Sequence, residues 1–385
     1  MSTGIYIHIP FCVSKCSYCC FVSRPWDELL AQRYWRAVVR ELEAFGKSCA
    51  SNCAVDTVYF GGGTPSLLPA GYVAGILGTC RSIFDVSPEC EFSLEANPGT
   101  LTAEKLGCYR SLGINRISIG AQSFSDQELA AIGRIHKAGQ IGKSCALLKA
   151  CGFHNLNLDL IIGLPGQTEI QWRASLERAV ALAPSHLSLY MLELDPKVPL
   201  YDSVAAGRTW MPDEDTVADR YLWAIDFLES RGYPQYEISN FALPGCECRH
   251  NLKYWRREPV LAFGVAAHSH DGVARYANVA DLSDYLSAVE GGQSPVQWRE
   301  PADPARDLEE TIFLGLRLRR GLDWARVRRN FRTEQLAMCE ATLRDMAGAG
   351  LLEWHDTVVR LTRRGMLLSN EVFQKFVGER SPHEG

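Results

Sequence analysis

The sequence predicts an α/β fold: a partial (β/α)6 barrel of the TIM type, followed by a small α+β domain of winged-helix-like form. Three observations predict it. Short apolar runs recur about every 30 residues between positions 5 and 191, with helix-period segments between them, which argues for right-handed βαβ units around a parallel sheet. That stretch holds six such runs, too few to close an eight-stranded barrel. Past a proline-flanked boundary at 301–304, the pattern changes to three helices and one short strand pair.

The first strand is residues 5–9, ended by Pro10. From 27 to 45 the residues Leu29, Tyr34, Val38, Leu42 and Phe45 recur at helical spacing, and Gly46 is the expected stop. The second strand, 55–60, runs directly into Gly61, Gly62, Gly63, Thr64 and Pro65. Helices are expected at 70–84, 103–112, 126–150 and 169–182, alternating with strands at 91–96, 115–120, 156–162 and 186–191. Residues 192–212 are irregular, with prolines at 196, 199 and 212. A strongly periodic helix follows at 214–231, closed by Gly232. Helices at 308–318, 334–347 and 363–376 and a strand pair at 351–361 that turns at Asp356 make up the C-terminal part. The expected units are a barrel, 1–212, an extension, 213–300, and a C-terminal domain, 301–385.

Chemistry concentrates in residues 6–21, YIHIPFCVSKCSYCCF. Cys12, Cys16 and Cys19 form a CxxxCxxC set, with Cys20 adjacent. Three thiolates in one short loop can hold three corners of a cubic iron–sulfur cluster and leave the fourth iron open to an outside molecule. Zinc sites usually pair two separated CxxC knuckles, and no second knuckle is present. A disulfide pair fits poorly in a sequence with no export signal. The glycine triplet after the second strand lets backbone approach a ligand. Glu95, Gln122 and Asp159 stand at or near the C-terminal ends of predicted strands, where barrel chemistry sits, and a buried carboxylate or amide there needs a partner. Residues 236–254, YEISNFALPGCECRHNLKY, contain His250, Asn251 and Tyr254. Histidine is a usual protein ligand of heme iron, and a structural histidine bonded to a backbone carbonyl is the competing reading.

The CxxxCxxC set and its flanks resemble the radical S-adenosylmethionine superfamily, and YIHIPFC narrows the resemblance to the coproporphyrinogen dehydrogenase (HemN) and heme chaperone (HemW) group. The resemblance implies a 4Fe–4S cluster on Cys12, Cys16 and Cys19. It implies S-adenosylmethionine at the open iron, with Gly62, Gly63 and Thr64 of the GGGTP element around its methionine end and Tyr18 near its adenine. Tyr6, Glu95, Gln122, Arg134 in GRIH and Asp159 match further contacts of the group. HNxxY is a feature of the chaperone branch, where it is implicated in heme binding, which makes His250 the heme residue. In the group, a similar C-terminal domain closes over the barrel opening.

Two function classes follow. One is an oxygen-independent coproporphyrinogen III dehydrogenase; the other is a carrier that keeps the cluster and S-adenosylmethionine, binds heme and delivers it to an acceptor protein. The carrier is favoured. Phe21 stands where the dehydrogenases carry a fourth cysteine, HNxxY is present, and only 11 residues precede Cys12. Cys20 occupies a position where the chaperones usually carry Asp. If the cofactor is turned over, an electron donor such as flavodoxin or ferredoxin is implied, and a homodimer is compatible with the resemblance.

Bulk properties exclude little else. The chain of 385 residues is 46% hydrophobic and 22% charged with a net charge of −5, which gives no overall pull toward nucleic acid. No apolar run reaches the roughly 20 residues that span a bilayer. Fourteen cysteines without an export signal point to the cytoplasm. Arg317, Arg319, Arg320, Arg326, Arg328, Arg329 and Arg332 are read as a solvated face rather than a nucleic-acid surface.

Overall fold

The computed structural model describes residues 2–48, 53–332 and 334–377. Six strands, β1 (Thr3–Ile9), β2 (Ala54–Gly62), β3 (Asp85–Ala96), β4 (Arg116–Gln122), β5 (Asn155–Ile162) and β6 (His186–Met191), lie side by side in chain order, every neighbouring pair parallel. Helices connect them, as parallel pairing requires. The partial barrel is therefore present, and its sheet extends further. Beyond β6 come β7 (Gln235–Glu237) and β8 (Asn240–Ala242), antiparallel, in the order β6–β8–β7. Beyond β1 lies β9 (Val260–Phe263), a seventh parallel strand, then β10 (His268–His270), β11 (Ala274–Asn278) and β12 (Val296–Pro301), antiparallel. The result is an open sheet of twelve strands.

Parallel strands covered on both faces usually read as continuous aliphatic runs. These alternate instead. Ile5, Ile7 and Ile9, Leu94, Ile117 and Ile119, Leu156, Leu158 and Leu160, and Leu187 and Leu189 are fully buried in the main apolar core. Between them stand Tyr6 and His8, Thr57 and Tyr59, Glu91, Ser93 and Glu95, Arg116 and Ser118, Asn157 and Asp159, His186 and Ser188. One face of the sheet is aliphatic and carries the helices. The other is polar, and it is buried as well.

The C-terminal part, residues 304–376, has helices Pro304–Leu316, Trp324–Asn330 and Gln335–Gly348 against a three-stranded sheet of Leu322–Asp323, Val358–Leu361 and Leu352–His355. Residues 317–319 run along β7: the Ile238 N–H donates to the Arg317 carbonyl at 3.2 Å, and the Arg319 N–H donates to the Tyr236 carbonyl at 3.0 Å. At the other side of this strap the buried Glu310 carboxylate accepts from Arg257 at 2.9 Å and from Arg275.

Five expectations are corrected. Residues 192–212 are not irregular throughout, since Pro199–Ala205 is a helix opened by proline at its first turn. Gly46 does not end the first helix, which spans Glu28–Ser48; a Cβ at Gly46 would stand 2.9 Å from Ile83, so the glycine serves close contact between helices. The helical stretch after β4 is two helices, Asp126–Ala131 and Ala138–Ala150, and so is the last one, Arg363–Leu367 and Ser369–Gln374. The arginine run is not one solvated face. Arg317 pairs with the buried Glu237 at 3.4 Å and covers the Trp255 ring, and Arg319 reaches the Met366 sulfur. Arg320, Arg326, Arg328, Arg329 and Arg332 are exposed. Cys49 lies outside the described residues.

Glu41 fastens the first helix to the strand beyond β1. Its Oε2 accepts from the Tyr285 hydroxyl at 2.6 Å and from the Gly264 N–H at 2.9 Å, and its Oε1 accepts from Asn278 Nδ2 at 2.6 Å. Burial nevertheless pushes its carboxyl from 4.5 up to about 7. A carboxyl raised on folding stabilises fully below 4.5, and that contribution is lost as pH rises through 7. Urea unfolding of Glu41→Gln beside the parent chain should show the variant gaining relative stability between pH 4.5 and 7. A constant difference over that range would contradict the assignment.

Candidate functional site

The cluster loop has almost no regular structure of its own. It leaves the C-terminal end of β1 and is tied down by backbone bonds. The Trp26 N–H donates to the Cys12 carbonyl at 2.8 Å, the Ser17 N–H to the Ile132 carbonyl at 3.2 Å, and the Leu200 N–H to the Ser17 carbonyl at 2.9 Å. Ile132 belongs to the break between the two helices after β4. Gly133 follows it at φ +74°, with the Ser17 amide 3.3 Å from where a Cβ would stand. That break puts Arg134 beside the loop.

Cys12, Cys16 and Cys19 are half-buried free thiols. Burial pushes the Cys19 thiol up, and the nearby Cys16 and Cys12 add to the rise. Thr64 Oγ1 donates to Cys12 Sγ at 3.6 Å, and Arg134 Nη1 donates to Cys16 Sγ at 3.7 Å. Among the described residues no three His, Cys, Asp or Glu side chains are grouped as ligands of a metal ion. A cubic cluster has a separate iron for each thiolate, so its ligands need not converge on one point. The residues fit such a group in a second respect: Arg134 Nε is buried beside the thiols with no protein partner.

The two cysteine contacts are joined by a residue that the sequence reading missed. Asn97 Nδ2 donates to Thr64 Oγ1 at 2.8 Å, and its Oδ1 accepts from Arg134 Nη2 at 2.6 Å. Arg134 Nη2 also donates to the Gly120 carbonyl. An unbroken chain thus runs from Cys12 through Thr64, Asn97 and Arg134 to Cys16. Asn97 follows directly after the last residue of β3, so it stands in the turn that leaves the strand's C-terminal end.

Gln122 ends β4 in the left-handed region, at φ +63°, and its amide lies 3.0 Å from where a Cβ on Gly120 would stand, with Arg134 at 2.9 Å and Asn97 at 3.1 Å. Glu95 accepts from the Tyr59 hydroxyl at 2.8 Å and the Gly62 N–H at 3.2 Å. Burial pushes its carboxyl to about 7. Asp159 accepts from Asn157 at 2.7 Å and Ser118 at 3.2 Å, and burial raises it too. The glycine triplet sits against protein. A Cβ at Gly62 would meet the His8 ring at 2.6 Å, and one at Gly63 the Phe11 carbonyl at 2.6 Å. Tyr18 lies against a separate small apolar cluster of Ile132, Ile161, Leu164, Val198 and Leu200. Tyr6 stacks on Tyr59 with ring centres 6.2 Å apart and touches His8 through its hydroxyl at 3.3 Å.

His250 lies deeper, on helix Arg249–Trp255, near the N-terminal ends of the strands. It is 1% exposed. Its Nδ1 bonds Thr57 Oγ1 at 2.9 Å and its Nε2 the Tyr254 hydroxyl at 3.3 Å, while its ring stacks on Tyr59 at 5.1 Å. Burial, with help from Lys253, lowers its pKa to about 3. In this conformation both ring nitrogens are committed. Burial likewise holds the Cys248 thiol at about 12, and Cys246 is raised in the same direction.

Known proteins resemble this chain. Residues 6–179 match the Radical SAM superfamily and residues 302–368 the HemN C-terminal domain. A protein named heme chaperone HemW from Bacillus subtilis is 35% identical over 97% of this chain and 99% of its own length. The chain belongs to the HemW family. A HemW from Escherichia coli is 38% identical over 69% of each chain. Among solved structures, coproporphyrinogen III oxidase (HemN) from Escherichia coli superimposes with a TM-score of 0.84 over 97% of this chain and 90% of that one. At 22% identity, that likeness speaks for the fold. Membership of the HemW family brings the expectation of an iron–sulfur cluster and S-adenosylmethionine to the residues described above.

Removing the amide that joins the two cysteine contacts should loosen both. Outer-shell partners of metal ligands typically carry about 10–100-fold in affinity. Asn97→Ala is therefore expected to weaken S-adenosylmethionine binding about tenfold in calorimetry on the anaerobically reconstituted chain, with less iron and sulfide bound per chain. Unchanged affinity and full iron content would show that Asn97 only fills space.

Proposed function

We propose that this chain is a heme chaperone: it holds a 4Fe–4S cluster and S-adenosylmethionine, takes up heme and passes it to an acceptor protein. The observation that carries the proposal is the nearly end-to-end match to HemW of Bacillus subtilis. Likeness to the HemN oxidase rests on fold and lower identity, and so favours the alternative less.

On this reading Cys12, Cys16 and Cys19 hold the cluster, which when bound supplies an open iron and a source of one electron. Arg134 and Thr64 donate to two of the thiolates, which spreads their negative charge and fixes their rotamers. Glu95, at a raised pKa, changes its charge near neutrality and is suited to receive the amino group of S-adenosylmethionine. Asp159, Gln122, Gly62, Gly63 and Thr64 complete the polar wall around that ligand. Tyr18 offers an apolar ring to its adenine, and Tyr6 backs Glu95 through Tyr59. His250, with both ring nitrogens bonded, anchors the HNxxY helix against the strands.

The functional units are the barrel, 1–212, the extension with HNxxY, 213–300, and the C-terminal domain, 301–385. Partners on this reading are heme, an acceptor protein and, where the cofactor is cleaved, a donor such as flavodoxin or ferredoxin; a homodimer is compatible with it. A cytoplasmic setting agrees with the cysteine content, and among the described residues no helix is long and apolar enough to cross a membrane.

Two assays test the proposal together. Anaerobically reconstituted protein mixed with heme is expected to show a shifted Soret band, and to lose it to a heme-free acceptor such as an apo-cytochrome. With coproporphyrinogen III, S-adenosylmethionine and a reductant, no protoporphyrinogen IX is expected. Turnover in the second assay, without a Soret shift in the first, would replace the chaperone by the oxidase.

A further inference from the structure

We propose that His268 is the axial ligand of heme iron, through Nε2. This deepens the chaperone reading and rests on it.

Among the described residues the exposed histidines are His154, His268 and His355. His154 precedes β5, at the end of the sheet away from the cluster, and His355 stands at the wing of the C-terminal part beside Glu353. His268 is different. It opens β10, directly after the loop that leaves the C-terminal end of β9, and β9 runs parallel to β1. It therefore shares the cluster's end of the sheet.

The ring of His268 is fixed by backbone. Its Nδ1 lies 3.0 Å from the Ala266 carbonyl oxygen. A carbonyl only accepts, so Nδ1 carries the proton and, in the neutral ring, Nε2 keeps its lone pair. This is the arrangement metal-ligating histidines use: one nitrogen donates to a carbonyl or carboxylate and the other is left for the metal.

The loop that supplies that carbonyl is itself over-determined. Ala266 sits at φ +53°, in the left-handed region, which costs a non-glycine residue about 1–3 kcal/mol and is held only where its surroundings insist. They do so here through six bonds. The Gly264 N–H donates to Glu41 and the Val265 N–H to the Tyr34 hydroxyl at 3.1 Å. The Ala266 N–H donates to the Val279 carbonyl at 2.9 Å and the Ala267 N–H to the Gly264 carbonyl at 3.3 Å. Asn278 donates to the Gly264 carbonyl at 2.8 Å through its side chain and to the Ala267 carbonyl at 3.0 Å through its own N–H. The bonds that fasten the first helix through Glu41 thus also fix the carbonyl that orients the His268 ring.

The surroundings suit a flat apolar ligand. Trp298, 37% exposed, presents its ring 6.1 Å from the imidazole. His8, near enough to His268 to feel its charge, is held below its ordinary pKa mainly by burial, and its Nε2 bonds the Val22 carbonyl at 2.9 Å. Val22 and Phe21, 37% and 61% exposed, are apolar residues of the cluster loop itself. An open lone pair on an imidazole fixed by backbone, with an aromatic ring beside it at the cluster's end of the sheet, is what an iron porphyrin can use. His250, by contrast, has both ring nitrogens bonded.

The test is a heme titration of the full chain, with hemin as probe, read in the Soret region and by the spin state of the iron. The parent is expected to give an imidazole-ligated spectrum. His268→Ala, a surface change that leaves the fold intact, is expected to lose that signature and to bind at least tenfold more weakly, and added imidazole is expected to restore the band. His250→Ala is expected to retain the signature. Should His268→Ala keep the parent's spectrum and affinity, or His250→Ala alone abolish them, the assignment falls while the chaperone reading stands. A parent chain that gives no Soret shift overturns both.

Discussion

The polar inner face of the parallel sheet is the constraint from which the rest follows. Tyr59, Glu91, Glu95, Arg116, Asn157, Asp159 and His186 sit between aliphatic residues on strands that pair on both sides. Buried, unpaired groups of this kind would cost several kcal/mol each, so the interior must be a connected network. His186 bonds Asn157 at 2.6 Å and Tyr236 at 2.8 Å, and Asn157 bonds Ser118 and Asp159, each at 2.7 Å. The helix that carries HNxxY is part of this solution. Glu91 accepts its first amides, from Arg249 and His250, each at 3.1 Å. The extension after β6 thus closes the lower end of the barrel because the strands need its donors.

At the upper end, as at Arg116 Nε lower down, some buried groups lack a protein partner. Arg134 Nε has none, Glu95 is raised by burial, and three thiols carry no bonds to one another. Rigid strands and the Asn97 bridge hold these groups in place, and the loop bearing the cysteines only follows. A site built this way gains its order from the sheet rather than from its own segment.

Much of this was legible in the sequence. Strand–helix alternation gave all six parallel strands of β1 to β6 in order, because each run is long and flanked by clear helical periods. The C-terminal wing, with its turn at Asp356 (φ +49°), was legible for the same reason. β9 was missed because VLAF is four residues long with no periodicity to classify it. The Trp324–Asn330 helix, seven residues long, is likewise too short to show a helical period. At the site, the three cysteines and the residues at strand ends stood out by spacing. Asn97 did not, because its meaning lies in contacts with Thr64, 33 positions earlier, and Arg134, 37 positions later. His250 drew attention by its motif, whereas only three dimensions reveal that its nitrogens are taken and that those of His268 are differently placed.

The strap formed by residues 317–319 has a consequence for how the chain behaves among copies of itself. β7 is an outermost strand, and without cover its free amides and carbonyls would offer a template for another chain's strand. Arg317 and Arg319 occupy those groups from within the molecule. A fragment that stops before Pro304 would leave that rim bare, and such fragments should stick to one another edge to edge, so that the C-terminal domain acts as a guard against self-association as much as a neighbour of the barrel.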